Sequence, residues 1–283
     1  MPLARTADLV AAAAQARVGV PAFNVITLEH AEAIVTGAER AGVAVILQIS
    51  QNAVRFHGNR VLPIARGAAA VAESAAVEVS LHLDHVDDVE LLHQAARAGF
   101  SSAMFDAGAQ PYQHNLDATR RAADWAHAQG LYLEAELGYV GGKPDAPASA
   151  HAAGVRTDPL EARAFVAATG VDALAVAVGS SHAMTTRSAS LDLELIAELA
   201  DSLAVPLVLH GSSGVPDSEI RHAVEAGIAK VNIGTALNIA MTAAVRSALA
   251  GDAALVDPRK YLSPAREAIA DTVAALATVV ANR

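Results

Sequence analysis

One unit recurs along the chain: a short apolar run of β type, a loop, a longer segment with Ala, Leu, Val or Ile at helical spacing, and a glycine. Eight apolar runs predict strands at Val20–Asn24, Val43–Ser50, Val77–Asp84, Ser101–Asp106, Tyr132–Leu137, Ala173–Val178, Leu207–His210 and Ala229–Ile233. Helical spacing lies between them, over Glu29–Ala41, Asp88–Ala98, Pro111–Gln129, Pro159–Thr169, Asp192–Leu203 and Asp217–Ala226. Asp158, Asp192 and Asp217 stand where helix caps belong, and glycines at 42, 99, 130, 170 and 227 close helices. Runs buried on both faces belong to parallel sheets, and right-handed crossovers keep consecutive strands parallel. Eight such units predict an α/β fold, a closed (β/α)8 TIM barrel, with Asp252–Arg283 as an extra C-terminal helical segment. The alternative, an open doubly wound sheet, normally carries GxGxxG after its first strand, and none is found there.

A barrel of about 250 residues uses most of a 283-residue chain, so residues 1–283 are expected to form a single domain. The chain has no cysteine, which leaves His, Asp and Glu as the metal ligands available. A formal net charge of -10 argues against a nucleic-acid partner, since binding a polyanion needs a broad basic face. No stretch of 18 uninterrupted apolar residues occurs and the N-terminus lacks the order of a secretory signal, so the expectation is a soluble, cytoplasmic chain with no membrane partner. The loop Gly138–Asp158, rich in Gly, Pro, Ala and Ser, has the length of a lid.

Active sites of such barrels gather at the C-terminal ends of the strands. The residues there are Asn24, Ser50, Asp84, His85, Asp106, Glu134, Glu136, His182, His210 and Asn232 to Thr235. Three of these are histidines from strands three, six and seven, and catalytic zinc commonly takes three protein ligands and leaves a position open. Asp84 beside His85 suits either proton transfer or a cap for the helix near Asp88. Asp106 and Glu136 suit a second cation, orientation of the histidines, or bonds to backbone amides. Glu134 and Glu136 share a strand face, which calls for a cation or a shared proton. His82 shares the face of Asp84, either to orient a ligand or to pack. After strands seven and eight come Gly211-Ser212-Ser213-Gly214 and Asn232-Ile233-Gly234-Thr235, whose small residues let backbone N–H groups approach a phosphate. Either loop alone reads equally as a plain turn.

The ordered segments SLHLDHVDD, SSAMFDAG, LEAELGYVGG, ALAVAVGSSHAM, LVLHGSSGVP, KVNIGTAL and DPRKYLSPAREAI resemble the class II, zinc-dependent fructose-bisphosphate and tagatose-bisphosphate aldolase family, from about Val20 to Val273. The resemblance implies reversible retro-aldol cleavage of a ketose bisphosphate to dihydroxyacetone phosphate and glyceraldehyde 3-phosphate. It implies Asp84 as the catalytic proton donor and His85, His182 and His210 as ligands of a catalytic Zn2+. In members with a second divalent or monovalent cation, Asp106 and Glu136 are its ligands. The substrate phosphate would lie against Ala183, Gly211, Ser212, Ser213, Asn232, Ile233, Gly234 and Thr235, with Arg259 near the far phosphate; Asn24 and Ser50 complete the expected rim. A homodimer or homotetramer is implied as well. The chain departs from the family pattern at Lys143-Pro144-Asp145, where relatives often carry an acidic pair or Gln-Glu, at Ala183, usually glycine, and at Gly108, commonly serine. An aldolase for tagatose bisphosphate or for another phosphorylated ketose or deoxy-sugar acid stays open beside fructose bisphosphate. So does a barrel that binds sugar phosphate without lyase activity.

Overall fold

A computed structural model describes residues 3–140 and 156–283. Eight parallel strands close into a barrel in chain order, β1 (Val20–Asn24), β2 (Val45–Ser50), β3 (Val79–Val86), β4 (Ser102–Phe105), β5 (Tyr132–Leu137), β6 (Ala173–Val176), β7 (Leu207–Leu209) and β8 (Ile228–Ile233). Closure is made by β1, which pairs with β2 on one side and β8 on the other. Helix α1 (Thr6–Ala16) precedes the barrel and plugs its N-terminal end, packing Leu9, Val10 and Ala13 against Val20, Ala22, Ile46 and Ala229.

The outer ring begins with α2 (Leu28–Ala41). Between β2 and β3 lie two helices that the strand-and-glycine pattern does not predict, α3 (Gln51–Phe56) and α4 (Val61–Glu73). The helix expected over Asp88–Ala98 is two single turns, α5 (Val89–Leu92) and α6 (Ala95–Ala98). Gln94 causes the interruption: its backbone N–H bonds to Leu91 O, three residues back, while its side-chain amide takes the Glu90 carbonyl. The ring continues with α7 (Tyr112–Ala128), α8 (Pro159–Thr169), α9 (Leu193–Ser202), α10 (Asp217–Ala226) and α11 (Thr235–Gly251).

Asp158 and Asp192 cap α8 and α9 by accepting from Glu161 N and Leu195 N, contacts that contribute about 1 kcal/mol each. Asp217 is not a cap; it lies inside the first turn of α10 and pairs with Arg187. The extra segment is one long helix, α12 (Pro258–Val280), packed on α2 and α11. Gly37 makes that packing close, since a Cβ there would sit 2.4 Å from Ala270 O. No helix of the described residues is long and apolar enough to cross a membrane.

Barrel interiors are usually filled by branched apolar side chains. Here the lumen carries Gln48, Ser80, His82, Ser102, Glu134 and Lys230, all buried. The apolar core lies instead between the strands and the ring helices.

Candidate active site

The C-terminal end of β3 is irregular, and the irregularity serves the site. Register with β4 shifts between Leu83 and Val86, and His85 takes a left-handed backbone, φ 48°. A bulge of this kind breaks strict alternation, so Asp84 and the neighbouring His85 both serve the same rim. Asp84 is buried and does not cap a helix; Asp88 does, accepting from Glu90 N and Leu91 N.

His182 follows β6, and His210 directly follows β7. The loops carrying them touch: Gly211 has φ 67°, and a Cβ there would lie 2.6 Å from the carbonyl carbon of Ser181. Only glycine lets the two histidines approach in this way. The rings of His85, His182 and His210 stand edge to face, with centroids 4.8 to 5.8 Å apart. One donor atom from each of these rings and from Glu136 lies within 4.8 Å of all the others.

Partners behind the cluster fix its orientation. His85 Nδ1 lies 3.2 Å from Asp106 Oδ2, while Asp106 Oδ1 accepts from Gly108 N, so the structure places Asp106 behind a histidine and outside the four-residue cluster. His210 Nε2 lies 2.9 Å from Glu134 Oε1, and its Nδ1 lies 3.2 Å from Glu136 Oε2. Nε2 also lies 2.9 Å from Asn232 Nδ2; the Glu134 carboxylate, which can only accept, puts the proton on Nε2 and leaves Nδ1 facing the cluster. Burial alone would lower the pKa of His210, but the two carboxylates raise it to about 9. Burial would likewise raise Glu134, but Lys230, His210 and His82 hold it well below the usual carboxylate range.

Lys230 was not singled out in the sequence, where it reads as one polar residue in an apolar strand. It is fully buried, and its ammonium donates to Glu134 Oε2 and to Asn232 Oδ1, both at 2.8 Å. The alternation of IAKVNI puts Lys230 on the face of Asn232, which is the one signal that marks it. Glu134 and Glu136 therefore separate in role: Glu134 is neutralised by Lys230, whereas Glu136 belongs to the cluster.

The two small-residue loops meet at the same rim. Gly211 opens a 3-10 turn, Ser212–Gly214, and Ser212 Oγ donates to the Asn232 carbonyl. Ser213 Oγ accepts from Ala236 N, in the first turn of α11. Asn232 and Ile233 end β8, Gly234 precedes α11 and Thr235 is its first residue, so a 17-residue helix points its positive end at both loops. Asn24 reaches them as well, since a Cβ on Gly234 would lie 2.9 Å from its Oδ1, which accepts from Gln48 Nε2. Ser50 pairs with Asp84 across the sheet, and its hydroxyl caps α3 by accepting from Ala53 N. Ala183 has a left-handed backbone, φ 59°, beside His182. Arg259 lies elsewhere, in the first turn of α12, with its side chain 89% exposed and folded onto Asp257. Most of the expected lid, Gly138–Asp158, lies at residues 141–155, outside the described residues, and Lys143-Pro144-Asp145 lies there with it.

His210 Nδ1 is buried and faces the cluster, with Glu136 Oε2 at 3.2 Å. That atom, beside two further imidazoles and a carboxylate, fits a divalent cation.

The family model described as "Fructose-bisphosphate aldolase class-II" matches residues 4–283. A Bacillus subtilis (strain 168) protein named "Probable fructose-bisphosphate aldolase" is 38% identical over 275 residues, 96% of this chain and 95% of its own. A Staphylococcus aureus (strain Mu50) fructose-bisphosphate aldolase is 36% identical over the same shares. Among solved structures, the YdjI aldolase from Escherichia coli K12 superposes with a TM-score of 0.83 at 30% identity, over 98% of this chain and 97% of that one. With a match over nearly its whole length and the barrel-end cluster described above, the chain belongs to the class-II fructose-bisphosphate aldolase family.

Proposed function

We propose that this enzyme, a class-II aldolase and so a carbon–carbon lyase, cleaves fructose 1,6-bisphosphate reversibly to dihydroxyacetone phosphate and glyceraldehyde 3-phosphate, using zinc held by His85, His182 and His210. The observation that carries the reading is the meeting of those three histidines and Glu136 within 4.8 Å, next to a buried Asp84. A set rich in imidazole suits zinc, whereas magnesium and calcium take mainly oxygen. When bound, the cation supplies Lewis-acid stabilisation of the negative charge that develops as the C3–C4 bond breaks. Lys230 is not available as a Schiff-base amine, because its ammonium is committed to Glu134 and Asn232.

Asp84 accepts the C4 hydroxyl proton in cleavage and returns it in condensation. Burial favours its neutral form, but the neighbouring His85 and His210, with Lys230, outweigh this and keep it a carboxylate, the form that can accept. Backbone donors of Gly211 to Ser213 and of Asn232 to Thr235 hold the phosphate, aided by the α11 dipole; Ala183, Asn24 and Ser50 complete the pocket wall. Asp106 orients His85, and with Glu136 it would serve a second cation. Arg259 reaches a far phosphate only from outside the cluster. The whole chain acts as one domain, in the cytoplasm, since a sugar bisphosphate does not cross a bilayer unaided. A homodimer or homotetramer is supported by α11, of whose 17 residues only Leu237 is buried while Ile239 and Leu249 are exposed.

The test is a panel of fructose and tagatose 1,6-bisphosphates and related ketose phosphates, assayed with and without chelator beside a zinc determination. Chelator-sensitive cleavage of the fructose ester is expected. Stoichiometric zinc with no cleavage of any member would leave a sugar-phosphate-binding barrel in its place, and a preference for the tagatose ester would move the assignment to the C4 epimer.

A further inference from the structure

β3 turns His82 and Asp84 into the lumen on one face, two residues apart. His82 is fully buried, and its Nδ1 lies 2.8 Å from Ser102 Oγ. The Ser102 hydroxyl donates to Thr6 Oγ1 at 2.7 Å, and Thr6 donates to Ser80 Oγ at 3.0 Å. A chain of hydroxyls thus rises from the first residue of α1, at the N-terminal end of the barrel, to the imidazole.

On its other side, His82 Nε2 lies 3.9 Å from Asp84 Oδ1. Both atoms are buried, and neither has a hydrogen-bond partner among the described residues. That separation is too long for a hydrogen bond, and it is shorter than the roughly 4.5 Å needed to seat a bridging water. About 1 Å of side-chain travel would bring the two atoms within hydrogen-bond distance.

The direction of the hydroxyl chain decides what each atom carries. Ser102 spends its proton on Thr6, so its lone pair takes the proton of His82 Nδ1. Burial, with Lys230 nearby, lowers the pKa of His82 to about 3, so the ring is neutral and has one proton. Nε2 then presents a lone pair to the Asp84 carboxylate, and two lone pairs face each other across the gap. The pair can close once Asp84 carries a proton.

We propose that His82 is a positioning residue for Asp84, receiving its O–H on Nε2 after Asp84 has taken the substrate's proton. The idea rests on the assignment of Asp84 made above. In cleavage the C4 hydroxyl proton goes to Asp84, the C3–C4 electron pair stays on C3, and C4–O becomes the aldehyde carbonyl. A half-turn of the carboxyl group delivers the new O–H to His82, and the reverse turn returns it for condensation. Ser102 and Thr6 set the tautomer that makes this possible.

The experiment compares kcat, KM and zinc content in His82→Leu, His82→Gln, Ser102→Ala, Asp84→Asn and the double variant His82→Leu/Asp84→Asn. His82→Leu is expected to lower kcat by about tenfold to a hundredfold, short of the full loss of a proton-transfer group, with KM and zinc unchanged. His82→Gln, which keeps an acceptor near the Nε2 position, restores most of it. In the Asp84→Asn background the Leu substitution costs nothing further. Ser102→Ala, which removes only the tautomer lock, lowers kcat by a smaller factor and carries the test if His82→Leu does not fold. A wild-type kcat in His82→Leu or, if that variant does not fold, in Ser102→Ala overturns the proposal, as does a Gln variant no better than Leu, or an equal loss with and without Asp84. If Asp84→Asn itself turns over normally, the assignment of Asp84 fails first; a slow Asp84→Asn beside an unaffected His82→Leu removes His82 alone.

Discussion

Replacing Lys230 by methionine separates the charge at the barrel centre from its shape. Lys230 and Glu134 are both fully buried and 2.8 Å apart, and the ammonium gives its second bond to Asn232. Met keeps most of the volume but leaves a buried carboxylate with His210 Nε2–H as its remaining close donor. Removing one partner of a buried pair typically costs about 3–5 kcal/mol. For a chain of 283 residues roughly 2 °C is lost per kcal/mol, so the melting temperature should fall by about 6–10 °C. Adding Glu134→Gln removes the stranded charge while the amide oxygen still accepts from His210, so the double variant should recover most of the loss. The assay is calorimetric unfolding of the single and double variants, each stripped of metal so that ligand binding does not shift the transition. A loss under about 1 kcal/mol in Lys230→Met, or a double variant no more stable than the single, would refute the reading of a charged pair at the centre.

Ala183→Gly should stabilise the protein by up to about 1 kcal/mol, because a left-handed alanine costs about 1–2 kcal/mol and the entropy of glycine returns only part of that; a lowered urea midpoint would contradict it. Gly211→Ala should raise KM for the phosphorylated substrate and destabilise by about 1–3 kcal/mol, since the new Cβ meets the Ser181 backbone at 2.6 Å; unchanged steady-state kinetics would show that the loop yields. On the proposed assignment zinc would displace the His210 Nδ1 proton, so affinity measured against a competing indicator should rise about tenfold per unit between pH 7 and pH 9, and a flat profile would exclude that proton. In the metal-free protein the sign is opposite. The raised His210 pKa contributes stability that is fully present below about pH 6.5 and is lost as the pH climbs to about 9.

Much of the architecture was legible because burial on both faces writes strands as apolar runs, and the eight runs correspond to the eight barrel strands. Their ends were less so. β3 runs to Val86, two residues beyond the apolar run, because the bulge is carried by His85, and a left-handed histidine leaves no mark of the kind a glycine leaves. The kink at Gln94 depends on a side chain competing for one carbonyl, which spacing does not encode. The rim histidines stood out because imidazoles at strand ends are unusual in apolar surroundings. The fixed tautomer of His210 did not, because Glu134 and Lys230 act from strands 76 and 96 residues distant from their partners.

The contact between α12 and α2 also bears on how the molecule is made. Gly37 accepts the backbone of α12 at Ala270, Arg40 bonds to Asp271 across 231 residues, and Gly19 N bonds to Val280 O just before β1. The first βα unit of the barrel thus gains its outer cover only from α12, which leaves the ribosome more than 200 residues later. Its apolar face has to wait, exposed, until the other seven strands of the barrel have been made. Contacts of such long range slow folding, so the N-terminal unit should be the stretch most dependent on chaperones and most easily cut by protease in nascent chains lacking α12.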